Sequence, residues 1–252
     1  MSSIEILGCR VDAVGREAAV ERVVALAHGG APSLVVTLGT EMVMEAQRNV
    51  RFRAVLAGAA LVVCDTVGLL LASRLRGGPL RERVTGVELT GALARRGDLR
   101  FFVLGGRGET AQRAAAVLAS QGATIAGSRD GYFPEDQSDA VAAQIRSSGA
   151  NVLLAGLGSP KQELWLWDHL AHSGCGAGIG IGGTLDVLAG NVERAPALWR
   201  QLGLEWFYRL VTQPWRWRRQ LALPAFAFLV LRETVLRLRS ASHGSAGDKL
   251  HL

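Results

Sequence analysis

Leu61-Val62-Val63-Cys64-Asp65-Thr66-Val67-Gly68 carries two signals in succession. Four apolar residues run without polar alternation, which suits a strand covered on both faces, as in a parallel sheet. A carboxylate and a hydroxyl then interrupt the run, and residues 67–75 read as a helix. Working outward, the same grammar recurs. Short apolar runs at 34–38, 61–64, 100–104, 123–126, 152–155 and 177–181 predict strands. Amphipathic stretches at 41–56, 67–75, 87–95, 109–120, 136–147 and 161–172 predict the helices between them. This alternation predicts an α/β domain, a Rossmann-like, doubly wound and mainly parallel sheet. Such sheets bind ligands at the carboxyl ends of their strands, so the residues just after each strand are the candidates for chemistry.

Those residues are distinctive. Thr37 ends one run, where its hydroxyl can bond a ligand; the plain alternative is a turn that serves only to let Thr40 cap the next helix. Asp65 can act as a general base if partial burial raises its pKa. Equally, Asp65 or Thr66 can cap the helix that follows. Gly105-Gly106-Arg107-Gly108 is a turn that brings backbone N–H groups near a phosphate, although glycines are common at any tight βα turn. In Gly156-Leu157-Gly158-Ser159-Pro160-Lys161-Gln162-Glu163, Ser159 is the expected N-cap and Pro160 suits the first turn. Lys161 and Gln162 then sit at the positive helix end, where an anion or a sugar can meet them. Glu163 reads as a first-turn acid that complements the helix dipole. Gly180-Ile181-Gly182-Gly183 is another glycine-rich strand end, suited to close backbone approach or to a tight turn.

Composition narrows the class. Mean hydropathy is +0.21, too apolar for a disordered chain. The longest apolar run, residues 221–231, falls short of the roughly 20 residues that span a bilayer. Three scattered cysteines argue against a disulfide framework or a zinc site. The start, Met1-Ser2-Ser3-Ile4-Glu5, lacks a basic region followed by an apolar one, so a cytoplasmic protein is expected. No acid-x-acid triplet is present to hold a metal, and no Gly-x-Ser-x-Gly elbow argues for hydrolysis. No metal site or cofactor is expected.

The net charge is +6 and the pI near 10.0, which suggests an anionic partner. The excess is local. Residues 1–193 net −1, while residues 194–239 hold nine Arg against Glu205 and Glu233, with four of the six Trp. The expected organisation is a catalytic domain at 1–194, a basic, Trp-rich appendage at 195–239 and a Ser/Gly-rich disordered tail at 240–252. The appendage reads as two helices broken near Gln213-Pro214, with Pro224 as a second kink point.

Taken in order, the segments resemble the WecG/TagA/CpsF glycosyltransferases, glycosyltransferase family 26. The most specific blocks are Asp65-x-x-Gly68, Arg83-Val84-Thr85-Gly86, Asp130-Gly131-Tyr132-Phe133, residues 156–163 and Gly203-Leu204-Glu205-Trp206-Phe207-Tyr208-Arg209-Leu210. The resemblance implies transfer of a sugar from a UDP-sugar to a polyprenyl-diphosphate-linked sugar. It implies inversion at the anomeric carbon and no metal. The products expected are teichoic acid linkage units, common antigen, capsule or exopolysaccharide. It makes Asp65 the candidate base and places Thr37, Arg83 and Gln162 on substrate-binding positions, with Tyr132 near the nucleotide. Gly39, Gly105, Gly106, Gly158 and Lys161 complete the expected substrate-binding set. Two departures stand out. Many members carry Asn where this chain has Gly39, and the family's Asp-Gly pair is here Asp65-Thr66.

The resemblance also gives the appendage a role at the inner face of the cell membrane, as a peripheral contact. Arg209, Arg216 and Arg219 are expected to clamp the acceptor's diphosphate. Trp215, Trp217, Phe226 and Phe228 are expected at the headgroup boundary. The plain alternative is an ordinary amphipathic helix with a solvated basic face. Self-association is a further expectation, since it would shield apolar appendage surface in solution. Among other classes, an NAD(P)-dependent oxidoreductase of Rossmann type fits the βα pattern but lacks a strand–G-x-G-x-x-G–helix unit. A nucleic-acid binder fits the pI, but the charge lies outside the α/β domain, so no nucleic-acid partner is expected.

Overall fold

The computed structural model describes residues 2–196, 198–199, 204–212 and 222–247. Chain order is β1 (Ser3–Ile6), β2 (Cys9–Asp12), α1 (Arg16–His28), β3 (Ser33–Leu38), α2 (Thr40–Ala46), α3 (Val50–Gly58), β4 (Leu61–Cys64), α4 (Val67–Leu75), α5 (Gly86–Ala94), β5 (Arg100–Gly105), α6 (Thr110–Ser120), β6 (Thr124–Arg129), a 3-10 turn (Glu135–Gln137), α7 (Ser138–Ser147), β7 (Val152–Gly156), α8 (Lys161–Ser173), β8 (Ala177–Gly180), α9 (Thr184–Leu188), α10 (Glu205–Thr212) and α11 (Ala222–Gly247). The six strands from β3 to β8 form one wholly parallel sheet in the order β4-β3-β8-β7-β5-β6.

The unalternating apolar runs are explained by two cores, one on each face. In β3, Leu34, Val36 and Leu38 enter one cluster while Val35 enters the other. In β4, Val62 and Cys64 part from Leu61 and Val63, and in β5 Phe102 and Leu104 part from Phe101 and Val103, in the same way. Helices α2, α3, α4, α7 and α8 supply the first cluster, through residues such as Phe52, Leu69, Ile145 and Leu166. Helices α1, α5, α6 and α9 supply the second, through Val23, Leu93, Ala114 and Leu185. Each such side chain contributes about 1.5–3 kcal/mol when taken out of water.

The expected fold class holds, with local differences. The expected helix 41–56 is two helices, because Asn49 Oδ1 accepts the Phe52 N–H at 3.0 Å and caps α3. The hairpin β1–β2 was not expected. Its turn is Leu7-Gly8, with φ of 50° and 76°, and Leu at such a φ leaves no ordinary turn signature in the sequence. Pro224 sits in the first turn of α11, where its missing N–H costs nothing, and the helix continues past the expected boundary at 239. Among the described residues, no helix is long and apolar enough to cross a membrane.

β8 is built of small residues because α8 presses onto it. A Cβ at Gly178 would lie 2.8 Å from Leu170 and 2.9 Å from Leu166. Gly178→Val is therefore expected to overpack the sheet and lower stability by about 1–3 kcal/mol, read as a lower urea midpoint at unchanged slope. A variant as stable as the parent would show that α8 is free to move off β8.

Candidate active site

β3 leads outward to β4, while its other neighbour, β8, is the last of these strands in chain order and lies between β3 and β7. A crevice opens where these carboxyl ends meet, and an open cleft of about 220 Å3 fills it. The first turns of α2, α4, α5, α8 and α9 all contribute to its lining, through Thr40, Val67, Gly86, Gln162 and Thr184 among others. Helix starts present free N–H groups and positive dipole ends, so the wall favours an anion. At its floor, the Thr37 hydroxyl donates to the Gly180 carbonyl at 2.9 Å and ties β3 to β8.

Asp65 ends β4, half-buried. Thr66, not Asp65, is the N-cap of α4, and the Thr66 side chain makes no capping bond. The Gly86 N–H, at the start of α5, donates to Asp65 Oδ1 at 3.0 Å. That bond fixes one carboxylate oxygen against the cleft wall. Cys64, directly before it, is no nucleophile. Burial pushes its thiol up to about 12, the Asp65 charge adds to the effect, and Arg83 only partly opposes it.

Among the described residues, Arg83 and Arg194 are the arginines that line the cleft. Arg194 Nη2 donates to Glu88 Oε1 at 2.9 Å, in the first turn of α5. Burial alone would raise the Glu88 carboxyl, but hydrogen bonds with Thr85 and Arg194 and the charges of Arg194 and Arg83 outweigh it and hold the group below its ordinary value. Glu88 thus stays charged and anchors Arg194 at the cleft edge.

A sequence profile of the glycosyl transferase WecG/TagA/CpsF family matches residues 4–240. The chain belongs to this family. A relative of Bacillus spizizenii (strain ATCC 23059 / NRRL B-14472 / W23), an N-acetylglucosaminyldiphosphoundecaprenol N-acetyl-beta-D-mannosaminyltransferase, is 36% identical over 207 residues, 79% of each chain.

The glycosyltransferase fold brings Thr37, Gly39, Asp65, Arg83, Gly158 and Gln162 into the one cleft. Gly105, Gly106, Tyr132 and Lys161 are not among its lining residues. They gather at the next strand ends. Gly106 N–H donates to the Gly156 carbonyl at 3.2 Å, and Gly131 N–H to the Gly106 carbonyl at 2.9 Å. Gly105 and Gly106 have the positive φ this turn needs, 141° and 67°. Tyr132 is 74% exposed, with the Arg107 guanidinium 5.8 Å from its ring centre, and Lys161 Nζ lies equally far from the Phe133 ring. Arg209 lies on α10. Trp215, Arg216, Trp217 and Arg219 fall outside the described residues.

The two departures from the family pattern are neighbours in space. A Cβ at Gly39 would lie 3.4 Å from Thr66 Cγ2. The threonine methyl borders the space that a side chain at 39 would enter.

Three residues of this site were not singled out as site residues in the sequence. Gly86, within the block 83–86, acts through its backbone, Arg194 is one arginine among many, and Glu163 read as a first-turn acid that complements the helix dipole. Glu163 is in fact 0% exposed. Pro160, not Ser159, is the N-cap of α8, and this turn carries the glutamate inward. Burial pushes its carboxyl above the ordinary 4.5, and hydrogen bonding with Gln162 and Ser159 offsets this only in part. A raised carboxyl is a stability penalty at high pH. The unfolded chain releases this proton near its ordinary value while the folded chain keeps it, so stability falls as pH rises from there towards the folded value. Glu163→Gln removes that dependence. Its melting temperature relative to the parent is expected to climb as pH rises above about 4.5. A constant difference as pH rises would mean that Glu163 is buried as a charge.

Proposed function

We propose that this transferase moves a sugar from a UDP-sugar onto a polyprenyl-diphosphate-linked sugar, with inversion and without a metal, at the inner face of the membrane. The observation that carries the reading is Asp65, set at a strand end by the Gly86 N–H inside a cleft walled by helix starts and Arg83. In this reading Asp65 takes the proton of the acceptor hydroxyl. That oxygen bonds to the sugar's anomeric carbon as the bond to UDP breaks on the opposite side, and UDP departs with the bonding pair. Arg83, Arg194 and the helix starts offset its charge where other enzymes use a metal. The lack of an acid-x-acid triplet supports this division of labour.

The relative's name gives N-acetylmannosamine as the sugar that protein transfers and N-acetylglucosaminyldiphosphoundecaprenol as its acceptor. Joined to the UDP donor proposed here, the substrates to try first are UDP-N-acetylmannosamine and that acceptor. Transfer is expected to persist in EDTA. Asp65→Asn is expected to lower turnover by about 10²–10⁴-fold at little cost in donor affinity. Wild-type turnover in that variant would remove Asp65 from the base role, and loss of activity in EDTA would remove the metal-free reading.

The C-terminal helix supports the membrane assignment. α11 buries Val230 and also Phe226, which packs into the core and so does not take the headgroup position expected of it, and Leu223 lines the cleft. Arg76 pairs with Glu233 and reaches back to the Glu5 carbonyl at 2.8 Å. Outward, Phe228, Leu231, Val235 and Leu236 are exposed, as are Leu71 and Leu75 of α4, which α11 contacts. Apolar surface of this kind suits an interfacial helix. Deleting residues 195–252 is expected to abolish transfer to acceptor embedded in vesicles. Full activity on that acceptor would refute the assignment.

A further inference from the structure

Gln162 lines the cleft yet is only 3% exposed, so its amide is held from behind. The Gly182 N–H donates to its Oε1 at 3.1 Å. A flipped amide would set N–H against N–H, so this bond fixes which end faces which way. Nε2 is thereby turned to Glu163 and donates to Oε1 at 2.6 Å. Nε2 carries a second N–H, for which the described residues provide no acceptor. β8 ends in glycine at this point for a steric reason. A Cβ at Gly180 would lie 2.7 Å from Glu163 Oε1 and 2.8 Å from Gln162 Nε2. The Gly180 carbonyl is also the acceptor for Thr37, so the pair sits directly under the floor of the cleft.

We propose that Glu163 is a positioning residue, whose carboxyl holds the Gln162 amide so that its remaining N–H meets an oxygen of the sugar bound in the cleft. This rests on the transferase reading above. Glu163 touches no substrate; it acts through Gln162. Any group that keeps an acceptor oxygen at Oε1 will serve, and a side chain of equal length without one will let the amide turn away.

The test compares Glu163→Gln, Glu163→Met, Gln162→Met and the double Met variant on UDP-N-acetylmannosamine and the N-acetylglucosaminyl-diphosphoundecaprenol acceptor. Glu163→Met and Gln162→Met are each expected to raise the KM of one sugar substrate about tenfold, with kcat changed far less. The double variant is expected to match Gln162→Met, because the second change removes nothing further. Glu163→Gln is expected to rescue the parent KM. Additive effects in the double variant, or an unchanged KM in Glu163→Met, would overturn the proposal. Should Glu163→Met fail to fold, Glu163→Asp withdraws the same oxygen by one methylene and is expected to raise KM in the same way. A second readout is independent of transfer. The Gln162 side-chain amide signals in ¹⁵N NMR, assigned by their loss in Gln162→Met, should be unshifted in Glu163→Gln and displaced in Glu163→Asp. Identical signals in the two would reject the positioning role even if these sugars are not the substrates. Absence of transfer by the parent, with the amide behaving as expected, would instead reject the substrate reading.

Discussion

A parallel sheet buried on both faces cannot close its own connections. Each strand must be followed by a crossover, and here helices supply it, so both faces are covered and every carboxyl end points to one edge. That polarity is the constraint on which the rest depends. It collects the starts of five helices around one cleft, and with them a set of N–H groups that no helix can satisfy internally. The Asp65 carboxylate answers one of these, the Gly86 N–H. The Gln162 amide oxygen answers another backbone N–H, that of Gly182 beside the start of α9. The polar side chains of the site are thus held by the same unpaired backbone groups that make the cleft attractive to an anion.

This explains what could be read from the chain and what could not. The strands were legible because a doubly covered strand is apolar at nearly every position, as 61–64 is throughout and 34–38 is apart from Thr37. Asp65 was legible as the first polar residue after such a run. The choice between base and cap was not, because its partner, Gly86, is 21 residues away and bonds through its backbone. Asn49 was missed inside the stretch 41–56 because apolar periodicity continues on both sides of the cap. Glu163 was misjudged for the reverse reason. Its sequence position, in the first turn of a helix, has a satisfactory surface explanation, and only the tertiary contact with Gly180 shows that it points inward.

The charge and the apolar surface at the C-terminal end belong to different parts of one device. The +7 segment begins at Arg194, which is anchored to Glu88 at the cleft edge. α11 is seated by Phe226, Val230 and the Arg76–Glu233 pair, of which Arg76 has a side chain only 6% exposed. A charge so deeply buried is costly unless paired, so separating α11 from α4 would leave Arg76 uncompensated. The helix is held in place by a contact that discourages release.

The hairpin β1–β2 has a role that lies away from the cleft. β4 is an outermost strand of the sheet, paired only with β3. On its outer side the Val62 N–H donates to Asp12 Oδ2 at 2.8 Å, and the Cys64 carbonyl accepts the Val84 N–H at 2.7 Å. The hairpin and the segment before α5 therefore act as a shutter on that margin, occupying groups that would otherwise recruit a foreign strand. β6, at the opposite margin, has no such cover among the described residues and is only partly buried along its length. The sheet is accordingly closed to growth on the side of its chemistry-bearing strand, which leaves the far side as the more open margin for strand addition.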